Sequence, residues 1–309
     1  MRGFLVRRFG QVLVTIFGVV TLIFFLQRLT GDPTFLLVPE TATRADIDAM
    51  RHSLGFDRPL FVQYVSFLAQ IARFDLGKSV IQNVPVSTII ASRLPYTLQL
   101  AAGALVVACG LGIPVGVVLA LYRESVFARL LAGLVFAAQS MPTFWSGILL
   151  IMLFAVTLGW LPPSSIGGIE NLIMPSLALG LLSMATFARI TRTAILDELS
   201  KEYVRSARAR GVSPARLLGR HLARNASIPV ITVAAIEISN LLAGAVIVET
   251  VFAWPGLGQV TVQSILARDF MVVQGVVLLG AFVTVALNVV ADLLYSAVDP
   301  RIRLDGNRR

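Results

Sequence analysis

Residues 97–121 read TLQLAAGALVVACGLGIPVGVVLAL, a run with no charged side chain. A helix of about 20 such residues, rising 1.5 Å at each, crosses the roughly 30 Å hydrocarbon core of a bilayer. Five further apolar runs lie on either side, at about 9–29, 130–158, 172–190, 228–251 and 272–294. The chain is 56% hydrophobic and 14% charged, whereas a soluble domain has about a quarter of its residues charged. A membrane barrel would instead show runs of about ten residues alternating with period two, and these runs do not alternate. The expected fold is an all-α polytopic membrane protein with about six spanning helices, because a helix satisfies its own backbone polar groups in lipid.

The basic residues give this bundle a direction. Arg2, Arg7 and Arg8 precede the first apolar run. That run is longer than a secretory h-region of about 7–15 residues and is followed by Gln27-Arg28-Leu29 rather than a small-residue cleavage site, so a retained first span is expected. With that end in the cytoplasm, most of the 26 Lys and Arg fall on inside segments, among them Arg123, Arg129, Arg189, Arg192 and the basic set that runs from Lys201 to Arg216, Arg220 and Arg224. Both termini are then expected in the cytoplasm. The net charge of +9 thereby records topology and contact with anionic lipid, and no nucleic acid partner is expected. Cys109, the single cysteine, falls in the second span and reads as a buried structural thiol.

Three parts are expected along the chain: 1–29 with the first span, a helical extracytoplasmic lobe at 30–96, and a core at 97–309. In the lobe, Thr43 caps a short helix that Gly55 stops, Pro59 opens an amphipathic one carrying Leu60, Tyr64, Phe67 and Ile71, and Pro85 precedes an interfacial helix. The lobe either packs on the outer ends of the spans or offers a docking surface or gate. Gly77-Lys78-Ser79 imitates a phosphate loop, but the required earlier glycine is Ala72. Pro114 and Ser140-Met141-Pro142-Thr143 are expected to kink their spans, as structural bends or as gating hinges.

Between the fourth and fifth spans, residues 193–227 are polar, basic and helical in pattern. Tyr203, Ala207 and a turn at Gly211 fit a short helix, and Ser213-Pro214 starts a second with Leu217, Leu218 and His221 on one side. Such a pair offers a rigid knob to something in the cytoplasm.

Here the sequence resembles the inner-membrane permeases of dipeptide and oligopeptide ATP-binding-cassette importers. The resemblance runs through LGFDRPL at 54–60, DLGKS at 75–79, RLP at 93–95, PTFW at 142–145, YVRSARARG at 203–211, Arg220-His221, Arg224-Asn225, ETVF at 249–252, PGLG at 255–258, Arg268-Asp269 and Asp299-Pro300-Arg301. It implies the type I importer permease fold. It also implies that Tyr203, Ala207, Arg208, Arg210 and Gly211 belong to a coupling helix that docks on a cytoplasmic ATPase, with Ala207 allowing close approach and Gly211 the tight turn. Of the general importer signature only Ala207 and Gly211 match; the Arg-rich form resembles the peptide permeases. The implied partners are a second related permease, two ATPase domains, an extracytoplasmic solute-binding protein, a peptide substrate and membrane lipid, in a bacterial inner membrane. No cofactor is expected on this chain; ATP and Mg belong to the ATPases.

Polar groups inside spans usually face the interior. Gln139, Glu237 and Asn240, with Asp292, are therefore either pathway residues or structural hydrogen-bonding groups. Glu249, Pro255, Gly256 and Gly258 are expected to shape the outer mouth. Nickel, glutathione or sugar import is the alternative within the resemblance. An autonomous carrier would show inverted repeats and broken helices, neither of which the sequence displays, and His52 and His221 lack the partners an enzyme needs.

Overall fold

Prolines and glycines divide the chain into helices much as the apolar runs suggest. The computed structural model describes residues 2–29, 43–53, 55–163, 167–213 and 216–298. Leu54, Pro214 and the Asp299-Pro300-Arg301 sequence lie outside the described residues, as do the side chains of Arg2, Arg7, Arg8, Arg28, Arg220, His221 and Asp292. The described residues form helices, with one isolated bridge between Lys78 and Pro85. In chain order these are α1 (Arg2–Leu29), α2 (Arg44–Ser53), α3 (Leu60–Ala72), α4 (Val86–Leu121), α5 (Val126–Ser140) and α6 (Thr143–Leu150), the last continued by a π-helical stretch, Ile151–Thr157. Then come α7 (Ile169–Leu199), α8 (Glu202–Ala209), a π-helical Leu217–Leu222 leading into α9 (Ala223–Val251), α10 (Leu257–Leu266) and α11 (Phe270–Val298).

Helices α4, α7, α9 and the Phe270–Val290 part of α11 are long and apolar enough to cross a membrane, and α5 with α6 makes a fifth crossing if counted as one bent span. The first of the six expected runs is the 28-residue α1, of which Gly10–Phe25 is the described apolar stretch. The surfaces suit lipid or a neighbouring chain: Val14, Val106, Leu134 and Val156 are 72, 71, 69 and 74% exposed, side chains that a soluble protein would bury.

One expectation is corrected. The run at 130–158 is not one kinked helix, for α5 and α6 meet at 106°. Met141 is extended (φ −80°, ψ 133°) and Pro142 likewise leaves the helix (φ −59°, ψ 138°), because the ring of a proline pushes the preceding residue out of the helical region. The run read as one kinked span is thus a bent pair of helices, with the geometry of a broken span or of a re-entrant loop. Pro114 sits with Pro95 inside the 36-residue α4, and that helix also takes in the separate interfacial helix expected after Pro85.

The chain divides into two compact units. One comprises Met1–Leu94 with Val260–Val285. In it α1 lies on α3, burying Val20 and Phe24 against Phe67, and the Thr21 hydroxyl bonds the Tyr64 hydroxyl at 2.6 Å. Thr43 and Asp46 cap α2 reciprocally, the Thr43 amide donating to Oδ2 at 2.9 Å and the Asp46 amide to Oγ1 at 3.3 Å, and Gly55, at φ +73°, follows its end. The GKS sequence makes no phosphate cradle. Ser79 Oγ donates to the buried Asp269 carboxylate, which also accepts the Val80 and Ile81 amides at 3.3 and 3.4 Å. The lobe expected at 30–96 is thus closed by residues from far along the chain.

The second unit comprises Pro95–Gln259 with Ala286–Arg309. Its core joins Leu100 and Ala104 of α4, Met174 and Leu179 of α7, and Leu241 and Val248 of α9. Helices α5, α6 and α9 each pack on α7. Small residues bring α4 against α7: a Cβ on Gly112 or Gly116 would stand 2.6 or 2.5 Å from the carbonyl oxygens of Met184 and Ala188, the close backbone approach that membrane helices use in place of a hydrophobic driving force.

Candidate coupling surface

The polar segment after α7 folds because its few apolar residues converge. Val204 and Ala207, three apart on α8, are 1 and 3% exposed and pack with Leu217 and Leu222, supported by Leu199, Val212 and Leu218. The C-terminus closes in a Schellman turn: the Gly211 amide donates to the Arg208 carbonyl at 2.9 Å and the Val212 amide to the Ala207 carbonyl at 3.2 Å. Gly211 holds φ +73°, the left-handed region glycine enters without a Cβ penalty. No heavy atom lies within 4 Å of where its Cβ would be, so the position faces outward.

A carboxylate network fastens the start of α8. Glu198, 8% exposed at the end of α7, pairs with Lys201, accepts the Tyr203 hydroxyl at 2.5 Å and accepts the Asn225 amide at 3.1 Å. Burial, reinforced by the bond to Glu198, holds the Tyr203 phenol above its ordinary pKa, so it remains a protonated donor. Helix α8 is thereby tied to α7 through Glu198 and to α9 through Asn225. Glu202, Arg205, Ser206, Arg208 and Arg210 are exposed, a mixed but mainly basic surface.

The candidate residues separate into two kinds. Arg208, Arg210 and Gly211 face outward, and Tyr203 is half-buried. Ala207 is buried in the chain's own packing, so the close approach it permits is between α8 and the turn that follows. Sequence reasoning missed Glu198 as the organising group, although an acid in the last turn of a span, followed by Lys and Tyr at three and five residues, is a readable signal.

The remaining candidates are dispersed. Glu237 of α9 accepts the Ser183 hydroxyl of α7 at 2.6 Å and the Asn240 side-chain amide at 3.3 Å, an interhelical clasp. Glu237 is 9% exposed and Asn240 is exposed. Gln139 is half-buried two residues before the break in the third span. Glu249 is fully enclosed: its carboxylate accepts the Thr97 hydroxyl at 2.7 Å and the Gly258 and Gln259 amides at 2.6 and 3.1 Å. Thr97 Oγ1 in turn accepts the Leu257 amide at 2.8 Å. Three amides left open at the start of α10 are therefore satisfied by α4 and α9, and the carboxylate meets the positive end of that helix. Pro255, Gly256 and Gly258 are buried beside it, and a Cβ on either glycine would collide with the Glu249 side chain. Glu249 and the turn support the joint from within.

Residues 112–304 match the family described as "Binding-protein-dependent transport system inner membrane component", and residues 1–101 match its N-terminal companion, "Binding-prot-dependent transport system membrane comp, N-term". The chain belongs to this family. As an inner-membrane permease it has full-length relatives: it is 38% identical to the Di/tripeptide transport system permease protein DppB of Pseudomonas aeruginosa, over 98% of this chain and 99% of that one. It is 35% identical to the Dipeptide transport system permease protein DppB of Escherichia coli K12, again over 98 and 99%. Among solved structures, the permease resembles a chain of the MetNI methionine ABC transporter in inward-facing crystals, with TM-score 0.59 and 21% identity over 69% of this chain and 97% of that one. That likeness gives the type I importer permease fold.

Proposed function

We propose that this chain is one of two permease subunits of an ATP-driven importer of short peptides, and that α8 is its coupling helix. The observation that carries the reading is the fastening of α8: a short helix with an outward basic face, closed by a Schellman turn and tied through Glu198 to both α7 and α9. A displacement applied to α8 from the cytoplasm moves two spanning helices together, the mechanical requirement for nucleotide-driven exchange of access. The peptide substrate follows the names of the full-length relatives.

On this reading the chain performs no bond chemistry and binds no cofactor. ATP and Mg are held by two cytoplasmic ATPase domains, a second related permease completes the pathway, and an extracytoplasmic solute-binding protein delivers the peptide. Both termini are cytoplasmic, and Arg208, Arg210 and Gly211 face the ATPase while Ala207 and Tyr203 hold the helix in place.

The test reconstitutes the complete complex in vesicles and follows dipeptide uptake together with ATP hydrolysis. Gly211→Glu places a left-handed side chain, at about 1–2 kcal/mol of strain, and reverses charge on an open basic surface. It should leave insertion and assembly intact and separate hydrolysis from uptake. Gly211→Asn, which tolerates the same backbone, should retain coupling. Normal uptake in Gly211→Glu removes the coupling assignment. Uptake of nickel, glutathione or a sugar in place of dipeptide removes the substrate assignment, and solute movement by this chain without an ATPase removes both.

A further inference from the structure

Three helices of the second unit line a cavity of about 210 Å³ that is open on one side. Leu119 of α4, Ala132 and Val135 of α5, and Ala185 and Ala188 of α7 wall it with apolar groups, and Arg123, Arg129, Arg189 and Arg192 line it as well. On α7 the sequence of Ala185, Ala188, Arg189 and Arg192 is a single i, i+3, i+4, i+7 stripe, apolar first and basic last. On α5 the order reverses, with Ala128 and Arg129 in the first turn and the apolar Ala132, Val135 and Phe136 after them. Antiparallel neighbours with opposed gradients gather their guanidinium groups at one end.

The charges there are poorly balanced from within. Glu124 pairs with Arg123 at 3.1 Å, with its carboxylate side chain 88% exposed. Among the described residues no carboxylate lies at salt-bridge distance from Arg129, Arg189 or Arg192. The start of α5, where Ser125 Oγ accepts the Ala128 amide at 3.1 Å, adds the positive end of a helix dipole. An anion belongs at this end, and guanidinium groups suit phosphate. A free phosphate would have no use for the apolar walls. Phe136 of α5, 49% exposed, is a further apolar group of those walls.

We propose that this cavity is a binding site for an anionic phospholipid, its phosphate among the four arginines and the start of an acyl chain between α5 and α7. The site is distinct from the coupling surface; on the orientation proposed above it lies on the cytoplasmic side, where basic pockets between spanning helices suit such headgroups.

The experiment uses the complete transporter, purified and delipidated, with phosphatidylglycerol retention read by native mass spectrometry. Wild type should retain phosphatidylglycerol over phosphatidylcholine, and the triple variant Arg129→Gln/Arg189→Gln/Arg192→Gln should lose about a hundredfold in affinity, at roughly a factor of five per arginine. Ala132→Trp, which fills the apolar part without changing charge, should also release the lipid, whereas Arg73→Gln should not. Three results overturn the proposal: equal retention in wild type and Ala132→Trp, displacement of phosphatidylglycerol from wild type by equimolar inorganic phosphate, or a photo-crosslink from position 136 to another protein chain instead of lipid. None of these three comparisons needs a variant arginine, so all stand even if the triple variant fails to assemble.

Discussion

Glu249 shows how an acid is kept inside a membrane protein. Its two oxygens accept three protein donors, the Thr97 hydroxyl and the amides of Gly258 and Gln259. Glu249→Ala leaves all three unsatisfied in a closed space, at about 1–3 kcal/mol for each donor. Thr97→Val removes one donor to the carboxylate and one acceptor for Leu257, a smaller loss of about 1–3 kcal/mol. Thermal unfolding of the purified transporter should therefore show a large fall in Tm for Glu249→Ala and a smaller one for Thr97→Val. Glu249 was legible in the sequence as a polar group interrupting an apolar run, and so was the PGLG turn. Thr97 was not, because its partners lie more than 150 positions away and no spacing rule reaches that far. The same holds for Ser79 with Asp269, 190 positions apart: both belong to recognisable motifs, yet only the fold joins them. Glu237 was legible as buried and polar, but its clasp with Ser183 depends on how α7 and α9 pack.

Among the elements, α4 and α7 depend on missing side chains. Gly112 and Gly116, four apart on α4, face Met184 and Ala188, and Gly180 of α7 answers with a Cβ position 2.6 Å from the Ala104 carbonyl. Gly112→Leu forces these backbones apart. The overpacked interface should cost about 1–3 kcal/mol or more, seen as reduced yield of assembled transporter and a lower Tm, whereas Gly110→Leu, with nothing within 4 Å of its Cβ position, should behave as wild type. The helices themselves were legible from hydropathy and from Thr43, Gly55 and Pro59 as boundary residues. The break at Met141 was only half legible, since Pro95, Pro114, Pro175 and Pro229 all remain inside continuous helices. What differs at 141–142 is that two successive residues leave the helical region, a choice set by packing on either side.

At the scale of the whole molecule, orientation is a prediction of charge. Because Cys109 is the single cysteine, Cys109→Ser supplies a background for topology mapping. In that background Ser206→Cys, on exposed α8, should react with an impermeant maleimide from the cytoplasmic face only, and Arg73→Cys, following α3, from the outer face only. Labelling of both from one side reverses or removes the assigned topology. The sequence made this division readable through its basic residues, while the joining of residues 260–285 to the N-terminal unit was hidden, since no local pattern announces which unit a late helix will complete.

The corner between α5 and α6 has a consequence for the life of the subunit in the cell. An arm of 15 residues reaches only about 22 Å, short of the hydrocarbon thickness, and the corner joins the open carbonyls at the end of α5 to the open amides at the start of α6, groups that acyl chains do not solvate. The Met141 amide turns back to the Ala138 carbonyl, the Trp145 and Ser146 amides share the Pro142 carbonyl, and the Ser146 hydroxyl donates to the Thr143 carbonyl at 3.0 Å, which satisfies part of the corner. In hydrocarbon, any group of the corner left open calls for water or another polypeptide beside it. A copy expressed without the chains it assembles with should then be less abundant in the membrane than one expressed with them, a difference that immunoblotting of membrane fractions measures.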